Sequence, residues 1–235
     1  MKRSIPRTPA IALYGGVFDP IHAGHLAVGR AACRHFGLDA IHYIPSGRPP
    51  HKAEETITAF EHRYAMVALA CAGEKRFFPS LAEADPSDSG RFFYTIDTVR
   101  RFRERLAGTG TRLFFITGAD AFLQIGTWKG YPALLEACDF IVAHRPGFRV
   151  DRLAEVIPPD LLARSRRAAL LGGNGRRTGG AEIRLRETTV HVLRTVSSDV
   201  SSTEIRRRRK QGLPIRGLVP RLVGEYIEKQ ALYSQ

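Results

Sequence analysis

Short apolar runs alternate along the chain with segments of helical periodicity. Each run is nearly continuous, which is typical of parallel strands that are buried on both faces of a sheet. Such strands must be joined by crossover connections, and helices usually supply them. The predicted strands are Ile11–Tyr14, Ile41–Ile44, Arg112–Ile116, Asp139–Ala143 and Val190–Leu193.

Amphipathic spacing predicts helices between and after these strands. In Thr95–Leu106, apolar residues recur every three or four positions and arginines occupy the opposite side, so one stripe of that helix is buried. Strands and helices that alternate in this way predict a Rossmann-like, doubly wound parallel α/β sheet with helices on both faces. The predicted helices are His25–Phe36, Phe60–Ala72, Thr95–Leu106, Ser201–Gln211 and a short helix after Pro220.

One segment, residues 164–187, breaks this alternation. It contains GGNGRRTGGAE, which is rich in glycine and arginine and has no hydrophobic periodicity. We interpret it as a flexible surface insertion and not as a domain boundary. The prediction is therefore a single domain over residues 1–235, with a small C-terminal helical part from about residue 201.

Composition is that of a globular protein with a sizeable core. The chain has 235 residues, of which 43% are hydrophobic and 25% charged. No run approaches the roughly 18 consecutive apolar residues of a membrane span. The first ten residues, MKRSIPRTPA, are not followed by a secretory apolar stretch, so we expect a cytoplasmic protein. The cysteines Cys33, Cys71 and Cys138 are widely spaced, and we expect reduced thiols.

The net charge of +13 favours anionic partners. Arginine supplies most of this charge and is spread along the chain, and the dense run is RRRRK, from Arg206 to Lys210. No aromatic residues that could stack on bases are interleaved with this run, which argues against a nucleic-acid-binding protein. Phosphorylated small molecules fit the charge equally well.

The stretch YGGVFDPIHAGHL joins the first predicted strand to the first helix. Gly15 and Gly16 follow the strand, where the absence of a Cβ lets a ligand approach the backbone closely. Asp19 is expected to cap the helix, and Pro20 suits its first turn. The stretch therefore predicts a tight turn with room for a ligand.

Two histidines near this helix start suggest what the ligand is. His22 and His25, three residues apart, are expected on one face at the N-terminal end, where unpaired amides and the helix dipole attract phosphate. A metal site is less favoured, because two histidines need further ligands. On spacing alone, a phosphate site and a purely structural turn are equally supported.

A second candidate phosphate site lies in VSSTEIRRR. Ser201 with Glu204 three residues later is a capping-box pattern that opens a helix. Ser202 and Thr203 would place hydroxyls and amides at that helix end, and Arg206 would add a guanidinium one turn further on. A well-capped surface helix remains an equal alternative from these residues alone. Two such helix ends beside the sheet would suit a triphosphate.

These motifs resemble the signatures of the nucleotidyltransferase superfamily. GGVFDPIHAGHL is similar to GxFDPxHxGH, and SSTEIR resembles (S/T)xxIR. Further patches narrow the resemblance to the bacterial nicotinate-nucleotide adenylyltransferases, and they span nearly the whole chain. They are PHK at residues 50–52, Tyr94-Thr95, GAD at 118–120, Trp128 and HRPG at 144–147. One departure is Val17, where the family usually has threonine.

The resemblance implies roles for individual residues. His22 and His25 would contact the ATP phosphates and, with Arg206, form the catalytic set, with His22 nearest the reacting centre. Asp120 would bind the adenosine ribose together with the Gly118 backbone. The implied ATP-binding residues are Gly15, Gly16, Val17, Phe18, His22, Gly24, His25, Gly118, Asp120, Ser202, Thr203 and Arg206.

A second group of residues would bind the mononucleotide. By resemblance, Lys52 and Arg145 would meet its phosphate, Thr95 its carboxylate and Trp128 its pyridine ring. Trp128 is the single tryptophan of the chain and lies in the loop context GTWKG, so an exposed loop tryptophan is the alternative reading. The implied mononucleotide-binding residues are Gly16, Lys52, Thr95, Trp128 and Arg145.

The implied reaction joins ATP and nicotinate mononucleotide to give deamido-NAD and pyrophosphate, a step of NAD biosynthesis. The mononucleotide phosphate would attack the α-phosphorus of ATP directly, so catalysis would rest on alignment and charge stabilisation. Mg²⁺ would be bound mainly through substrate phosphates, and no protein metal ligand is expected.

Several alternatives stay open on the sequence. The nearest is the same reaction with nicotinamide mononucleotide. A pantetheine-phosphate or cytidylyl transferase would share the phosphate motifs but not the other patches together. The expected partners are ATP and nicotinate mononucleotide, without membrane or nucleic acid, and a homo-oligomer is possible.

Overall fold

The computed structural model of the chain describes residues 8–48, 57–85, 87, 92–144, 148–162, 181–194 and 200–234. Seven strands within these ranges form one sheet. They are β1 (Ala10–Gly16), β2 (Ala40–Pro45), β3 (Phe77–Pro79), β4 (Arg112–Gly118), β5 (Asp139–His144), β6 (Glu182–Arg184) and β7 (Thr189–Arg194).

Helices follow most of the strands. A short 3₁₀ turn, Ile125–Thr127, comes between the fourth and fifth helices. The α-helices are α1 (Ala23–Phe36), α2 (Phe60–Cys71), α3 (Thr95–Arg105), α4 (Ala119–Phe122), α5 (Tyr131–Ala137), α6 (Arg152–Glu155), α7 (Ser202–Lys210) and α8 (Arg221–Lys229).

The sheet has the order β3-β2-β1-β4-β5-β7-β6 and is parallel except for β6, which pairs antiparallel with β7. The strand order reverses between β1 and β4, which are parallel neighbours. In sheets of this kind, ligands bind in the crevice outside the carboxyl ends of the strands at that reversal. The predicted Rossmann-like fold class is confirmed, and the reversal lies between β1 and β4, whose last residues are Gly16 and Gly118.

Both faces of the sheet are covered, because successive strand residues point to opposite sides. In β4, Phe114 and Ile116 face a hydrophobic cluster shared with α1, α2, α7 and α8. Leu113 and Phe115 face the other cluster, which includes residues of α3, α4, α5 and α6. The predicted C-terminal helical part therefore packs on the same sheet as the rest of the chain.

The five predicted strands and the predicted helices are confirmed, with bounds shifted by a residue or two. The structure corrects the predicted flexible insertion at its far end, because Glu182–Arg184 forms β6 and its Ile183 is buried. A three-residue strand with one apolar position gives almost no periodic signal, which explains the error. Residues 164–180 lie outside the described residues.

Each of the three cysteines is a buried thiol, as expected. Burial raises the pKa of the Cys71 thiol to about 12, so it stays protonated near neutral pH. Across the described residues, every helix is too short or too polar to cross a bilayer. The cytoplasmic location stays a prediction.

Candidate active site

The last two residues of β1, at the carboxyl edge of the sheet, are glycines packed against aromatic rings. A Cβ added to Gly15 would lie 3.0 Å from the ring of Phe115, and one added to Gly16 would lie 3.0 Å from the ring of Phe18. The Gly16 carbonyl accepts the amide of Ser46, which follows β2, at 2.9 Å. The absence of a side chain at both positions therefore permits close packing within the protein.

The predicted capping role of Asp19 is wrong, and Pro20 is not in the first helical turn. The cap of α1 is His22, because the chain turns through a left-handed Phe18 (φ 51°) and a cis Asp19–Pro20 peptide before the helix begins. Asp19 is only 6% exposed, and its carboxylate accepts the Thr58 amide at 3.2 Å. It anchors the loop instead of capping the helix.

The two predicted histidines do lie together. Their rings stack with centroids 3.7 Å apart, and the His22 amide donates to Nδ1 of His25 at 3.2 Å. A neutral imidazole whose Nδ1 accepts carries its proton on Nε2. Phe18 and Tyr14 approach the His25 ring edge-on, at 5.0 and 6.0 Å. This burial, with a smaller effect of His22, lowers the pKa of His25 well below its usual value, so the ring is a neutral N–H donor.

Two backbone amides at the start of α1 are hydrogen-bonded within the protein. The Ala23 amide donates to the Leu218 carbonyl at 2.9 Å, in the loop before α8. The His25 amide donates to the His22 carbonyl at 3.0 Å within the first turn. Gly24 lies between these two, on the half-buried start of the helix.

The second predicted motif begins α7 as expected. Ser201 is the N-cap, and its hydroxyl accepts the Glu204 amide at 3.2 Å. The Glu204 carboxylate pairs with the guanidinium groups of Arg207 and Arg208, which lower its pKa to about 2. Two members of the arginine run thus satisfy an acid on their own helix.

Two hydrogen bonds join the α1 and α7 motifs to each other. The Ser202 hydroxyl donates to the Pro20 carbonyl at 3.0 Å, and Arg206 Nη1 donates to the Asp19 carbonyl at 2.7 Å. Because a hydroxyl has one proton, this contact uses the Ser202 hydroxyl as a donor, whereas Arg206 has five N–H donors. Thr203 is exposed at the same helix end. The structure therefore brings together the two helix ends that the sequence indicated as candidate phosphate sites.

Two further predicted residues follow β4 across the reversal point. Gly118 ends the strand and caps α4, and Asp120 lies in the first turn of that helix. Both are exposed, and a Cβ added to Gly118 would meet no atom within 4 Å. The space beside Gly118 lies next to β1, at the same edge of the sheet as the histidines.

Thr95 and Trp128 lie near the start of α3. Thr95 is the first residue of α3, after its cap Tyr94, and Lys129 Nζ lies 4.0 Å from the centre of the Tyr94 ring. The Trp128 indole is half-buried and packs edge-on against Phe115 at 6.1 Å. Trp128 is therefore not an exposed loop side chain, because its indole packs against the Phe115 ring, which also lies next to Gly15. Predicted residues Lys52 and Arg145 lie outside the described residues.

Arg63 is a site residue that the sequence reasoning missed. It is 3% exposed and donates to four carbonyls: Thr58 at 2.7 Å, Val17 at 2.9 Å, Ser46 at 2.7 Å and Gly47 at 3.2 Å. It thereby ties the β1 loop to the segment after β2. Its signal was present, because Arg63 opens the buried stripe of α2 that continues through Met66, Val67 and Ala70.

Comparison with known proteins identifies relatives along nearly the whole chain. The cytidylyltransferase-like family matches residues 13–208. A protein of Moorella thermoacetica named "Probable nicotinate-nucleotide adenylyltransferase" is 41% identical over 229 residues, which are 97% of this chain and 94% of the relative. A Thermoanaerobacter protein of the same name is 37% identical over 225 residues, covering 96% and 94%.

Solved structures show the same fold at lower identity. The Plasmodium falciparum nicotinic acid mononucleotide adenylyltransferase complexed with NaAD matches with a TM-score of 0.66 and 18% identity, covering 96% of this chain and 97% of that one. The same enzyme complexed with APC gives a TM-score of 0.64. With the full-length identities of 37–41%, the chain belongs to the nicotinate-nucleotide adenylyltransferase family, within the cytidylyltransferase-like proteins.

Proposed function

We propose that this protein transfers the adenylyl group of ATP to nicotinate mononucleotide and forms deamido-NAD and pyrophosphate. The observation that carries the proposal is the junction of two helix N-termini, one of which carries the stacked histidines, at the carboxyl edge of a sheet whose strand order reverses beside β1. Family membership supports the same reaction.

The reaction needs no protein nucleophile. An oxygen of the mononucleotide 5′-phosphate forms a bond to the α-phosphorus of ATP, while the bond from that phosphorus to the bridging β-phosphate oxygen breaks. The electron pair leaves with pyrophosphate, and an ionised phosphate attacks without prior proton transfer. The protein's part is to align the two phosphates and stabilise the charge that develops on them.

We assign charge stabilisation to the histidine pair. Neutral His25, with its proton on Nε2, donates a hydrogen bond to a phosphate oxygen without an ionisation step. His22 stacks on it, and we assign to His22 the place nearest the reacting α-phosphate. The Gly24 amide adds a backbone donor, since the neighbouring Ala23 amide is engaged by Leu218.

The start of α7 would hold the β- and γ-phosphates. The amides of Ser202 and Thr203 lie at its positive end, and the Arg206 guanidinium lies one turn further on. The contact of Arg206 with the Asp19 carbonyl fixes where this cation points. Pyrophosphate would thus leave towards groups that are already in place.

The adenosine would bind at the Gly118 turn, and the pyridine ring would bind beside Trp128 near the start of α3. Asp120 would accept the ribose hydroxyls beside the Gly118 backbone in the space after β4. Trp128 would stack on the pyridine ring, and the positive end of α3 at Thr95, with Lys129 nearby, favours a carboxylate over an amide. Lys52 and Arg145 stay predictions for the mononucleotide phosphate.

We propose Mg²⁺ as part of the nucleotide substrate. The buried acid of the loop, Asp19, is engaged by Thr58 and by the loop contacts, and no three His, Cys, Asp or Glu side chains cluster as a metal site among the described residues. Phosphate oxygens are the hard ligands that Mg²⁺ prefers, and bound Mg²⁺ would neutralise part of the polyphosphate charge.

The direct test measures pyrophosphate release by purified protein with ATP, Mg²⁺ and each mononucleotide in turn. We expect release with nicotinate mononucleotide and much slower release with the amide, or with CTP in place of ATP. His22→Ala should lower kcat about 100-fold, as loss of one transition-state donor does. His35→Ala, at the exposed far end of the same helix, is the matched control.

Three outcomes would count against the proposal. Absence of release with either mononucleotide would refute it, and faster release with the amide would reassign the substrate. Full activity of His22→Ala in a folded protein would show that the histidine turn is only structural.

A further inference from the structure

We propose that Tyr233 is a positioning residue for ATP, because its hydroxyl fixes the loop on which both phosphate-facing helix ends rest. The inference rests on the proposed function for its ligand and goes beyond it in assigning a role to the segment after α8, residues 230–234. Tyr233 lies 214 positions from its partner in the sequence, and neither family motif includes it.

Asp19 is the point at which four parts of the chain meet. Its Oδ1 accepts the Tyr233 hydroxyl at 2.5 Å, and its Oδ2 accepts the Thr58 amide at 3.2 Å. Its carbonyl oxygen accepts Arg206 at 2.7 Å. With both carboxylate oxygens and the carbonyl engaged, Asp19 is held in one orientation by the segment after α8, the segment before α2, and α7.

The Tyr233 hydroxyl is suited to be a permanent donor. Its ring packs against the core cluster on the α1 side of the sheet, and it is only partly exposed. Burial, together with the hydrogen bond to Asp19, raises the pKa of Tyr233 above its usual value, so it stays protonated over the working range of the enzyme. A short contact between a phenol and a carboxylate is a strong hydrogen bond.

The backbone on both sides of this contact takes an uncommon course. Phe18, next to Asp19, has φ 51°, and Tyr233 has φ 60°. Ala231, also left-handed at φ 48°, ends α8 with a hydrogen bond from the Leu232 amide to the Ile227 carbonyl at 3.0 Å. Non-glycine residues adopt this region uncommonly. For Ala231, its position just after the C-cap of α8 accounts for the conformation. Phe18 and Tyr233 are not at helix ends, so the left-handed backbone next to Asp19 and at Tyr233 belongs to the contact between them.

A shift of Asp19 would reach both phosphate-facing helix ends. His22 follows it by three residues, and Arg206 and Ser202 are fastened to the carbonyls of Asp19 and Pro20. Loss of the Tyr233 hydroxyl would let the loop move, and a misplacement of about 1 Å can lower the rate of an alignment-driven reaction about 100-fold. The Ser234 hydroxyl, which accepts from Arg209 at 3.3 Å, fastens the same segment to α7.

The test compares Tyr233→Phe with Tyr226→Phe. Tyr226 lies on α8, and its hydroxyl is hydrogen-bonded to His62 of α2 at 2.8 Å, so it is a matched C-terminal tyrosine that does not touch the loop. We expect Tyr233→Phe to lower kcat/KM for ATP about tenfold and to raise the ATP dissociation constant about fivefold, because a hydrogen bond to a charged group is lost. The KM for the mononucleotide should change less than about twofold, and Tyr226→Phe should keep wild-type values of all of these.

Thermal unfolding of both variants separates positioning from stability. Wild-type ATP affinity and kcat/KM in Tyr233→Phe would overturn the inference, and so would an equal loss in Tyr226→Phe at a similar fall in Tm. ATP affinity, measured by calorimetry, does not depend on turnover. A wild-type protein that binds ATP without reacting would therefore refute the proposed function alone, whereas unchanged ATP affinity in Tyr233→Phe would refute this inference alone.

Discussion

His25 is kept neutral by the rings around it. The His22 amide occupies its Nδ1, and Tyr14 and Phe18 approach the ring edge-on. Burial and the neighbouring His22 both lower its pKa. A histidine in this position donates one hydrogen bond over a broad pH range, which suits phosphate binding better than a proton relay would.

We expect this lowered pKa to make folding stability depend on pH. Between the folded pKa and the unfolded value near 6.5, the unfolded chain binds a proton that the folded chain does not. The stability is therefore complete above about pH 6.5 and is lost as the pH falls below it. In thermal unfolding, His25→Gln should lose less Tm than wild type between about pH 7 and about pH 5.

His35→Gln is the matched control, since it removes an exposed histidine from the same helix. An identical pH dependence in His25→Gln and wild type would contradict a buried, neutral His25.

Val17 is the departure from the family motif noted in the sequence. The family usually has threonine there, and the contact that the structure shows for Val17 uses its carbonyl, which accepts Arg63 at 2.9 Å. Because any residue supplies that carbonyl, valine in place of threonine leaves this contact in place.

At the scale of elements, α2 holds the loop after β1 through one buried cation. Burial lowers the pKa of Arg63, and nearby Asp19 is the first of the charges that oppose this shift. The last register pair of β1 and β2 is Gly16 with Pro45. The Arg63 guanidinium binds the carbonyls of Val17, Ser46 and Gly47, which follow that pair. Arg63 therefore continues the link between the two segments beyond the end of their strand pairing.

We expect Arg63→Met to destabilise the fold by about 2–4 kcal/mol, because buried carbonyls would lose their donor. Arg63→Lys should be intermediate, since one ammonium cannot reach all four oxygens. Urea unfolding measures both. Arg100→Met, on the exposed side of α3, should change stability by less than about 0.5 kcal/mol. Equal stability of the Arg63 and Arg100 variants would refute the loop-holding role.

The sequence predicted elements well where a pattern was long enough. Five strands and five helices were found from run length and periodicity, whereas β3 and β6 have three residues each and gave no usable signal. Helix α5 was missed because only Leu134 and Leu135 are buried in its seven residues.

Within the site, the two motifs and their proximity were predictable from the sequence. The long-range hydrogen bonds that hold the site together were not. The contacts of Ser202 with Pro20 and of Tyr233 with Asp19 span 182 and 214 positions of sequence. No local pattern encodes such a pair, since each depends on how the whole sheet places its helices. The capping role given to Asp19 was wrong for the same reason, because the loop uses this carboxylate for distant partners.

At the scale of the whole molecule, several of the arginines that give the chain its positive charge bind groups of the chain itself. In the run RRRRK, Arg206 binds the Asp19 carbonyl, Arg207 and Arg208 pair with Glu204, and Arg209 donates to Ser234. These contacts fix the helix and its surroundings. The net charge of +13 still creates a long-range field that attracts polyphosphates.

We expect that field to appear as salt dependence. Raising sodium chloride from about 0.05 M to about 0.5 M shortens the screening length severalfold, and kcat/KM for ATP should fall accordingly. Steady-state kinetics at fixed Mg²⁺ measures it, with sucrose at matched viscosity as the control. Equal kcat/KM at both salt concentrations would show that steering by the net charge does not contribute.

The two outermost strands have a consequence for how molecules of this protein meet one another. β3 spans three residues and ends at Pro79, which has no amide to donate, and β6 spans three residues with charged Glu182 and Arg184 on its outward side. Edge strands that are short, or that carry proline or charged residues, pair poorly with a strand of another molecule. Phe78 on β3 is 45% exposed. Even so, we expect that molecules of this protein at high concentration do not readily pair edge to edge into fibres.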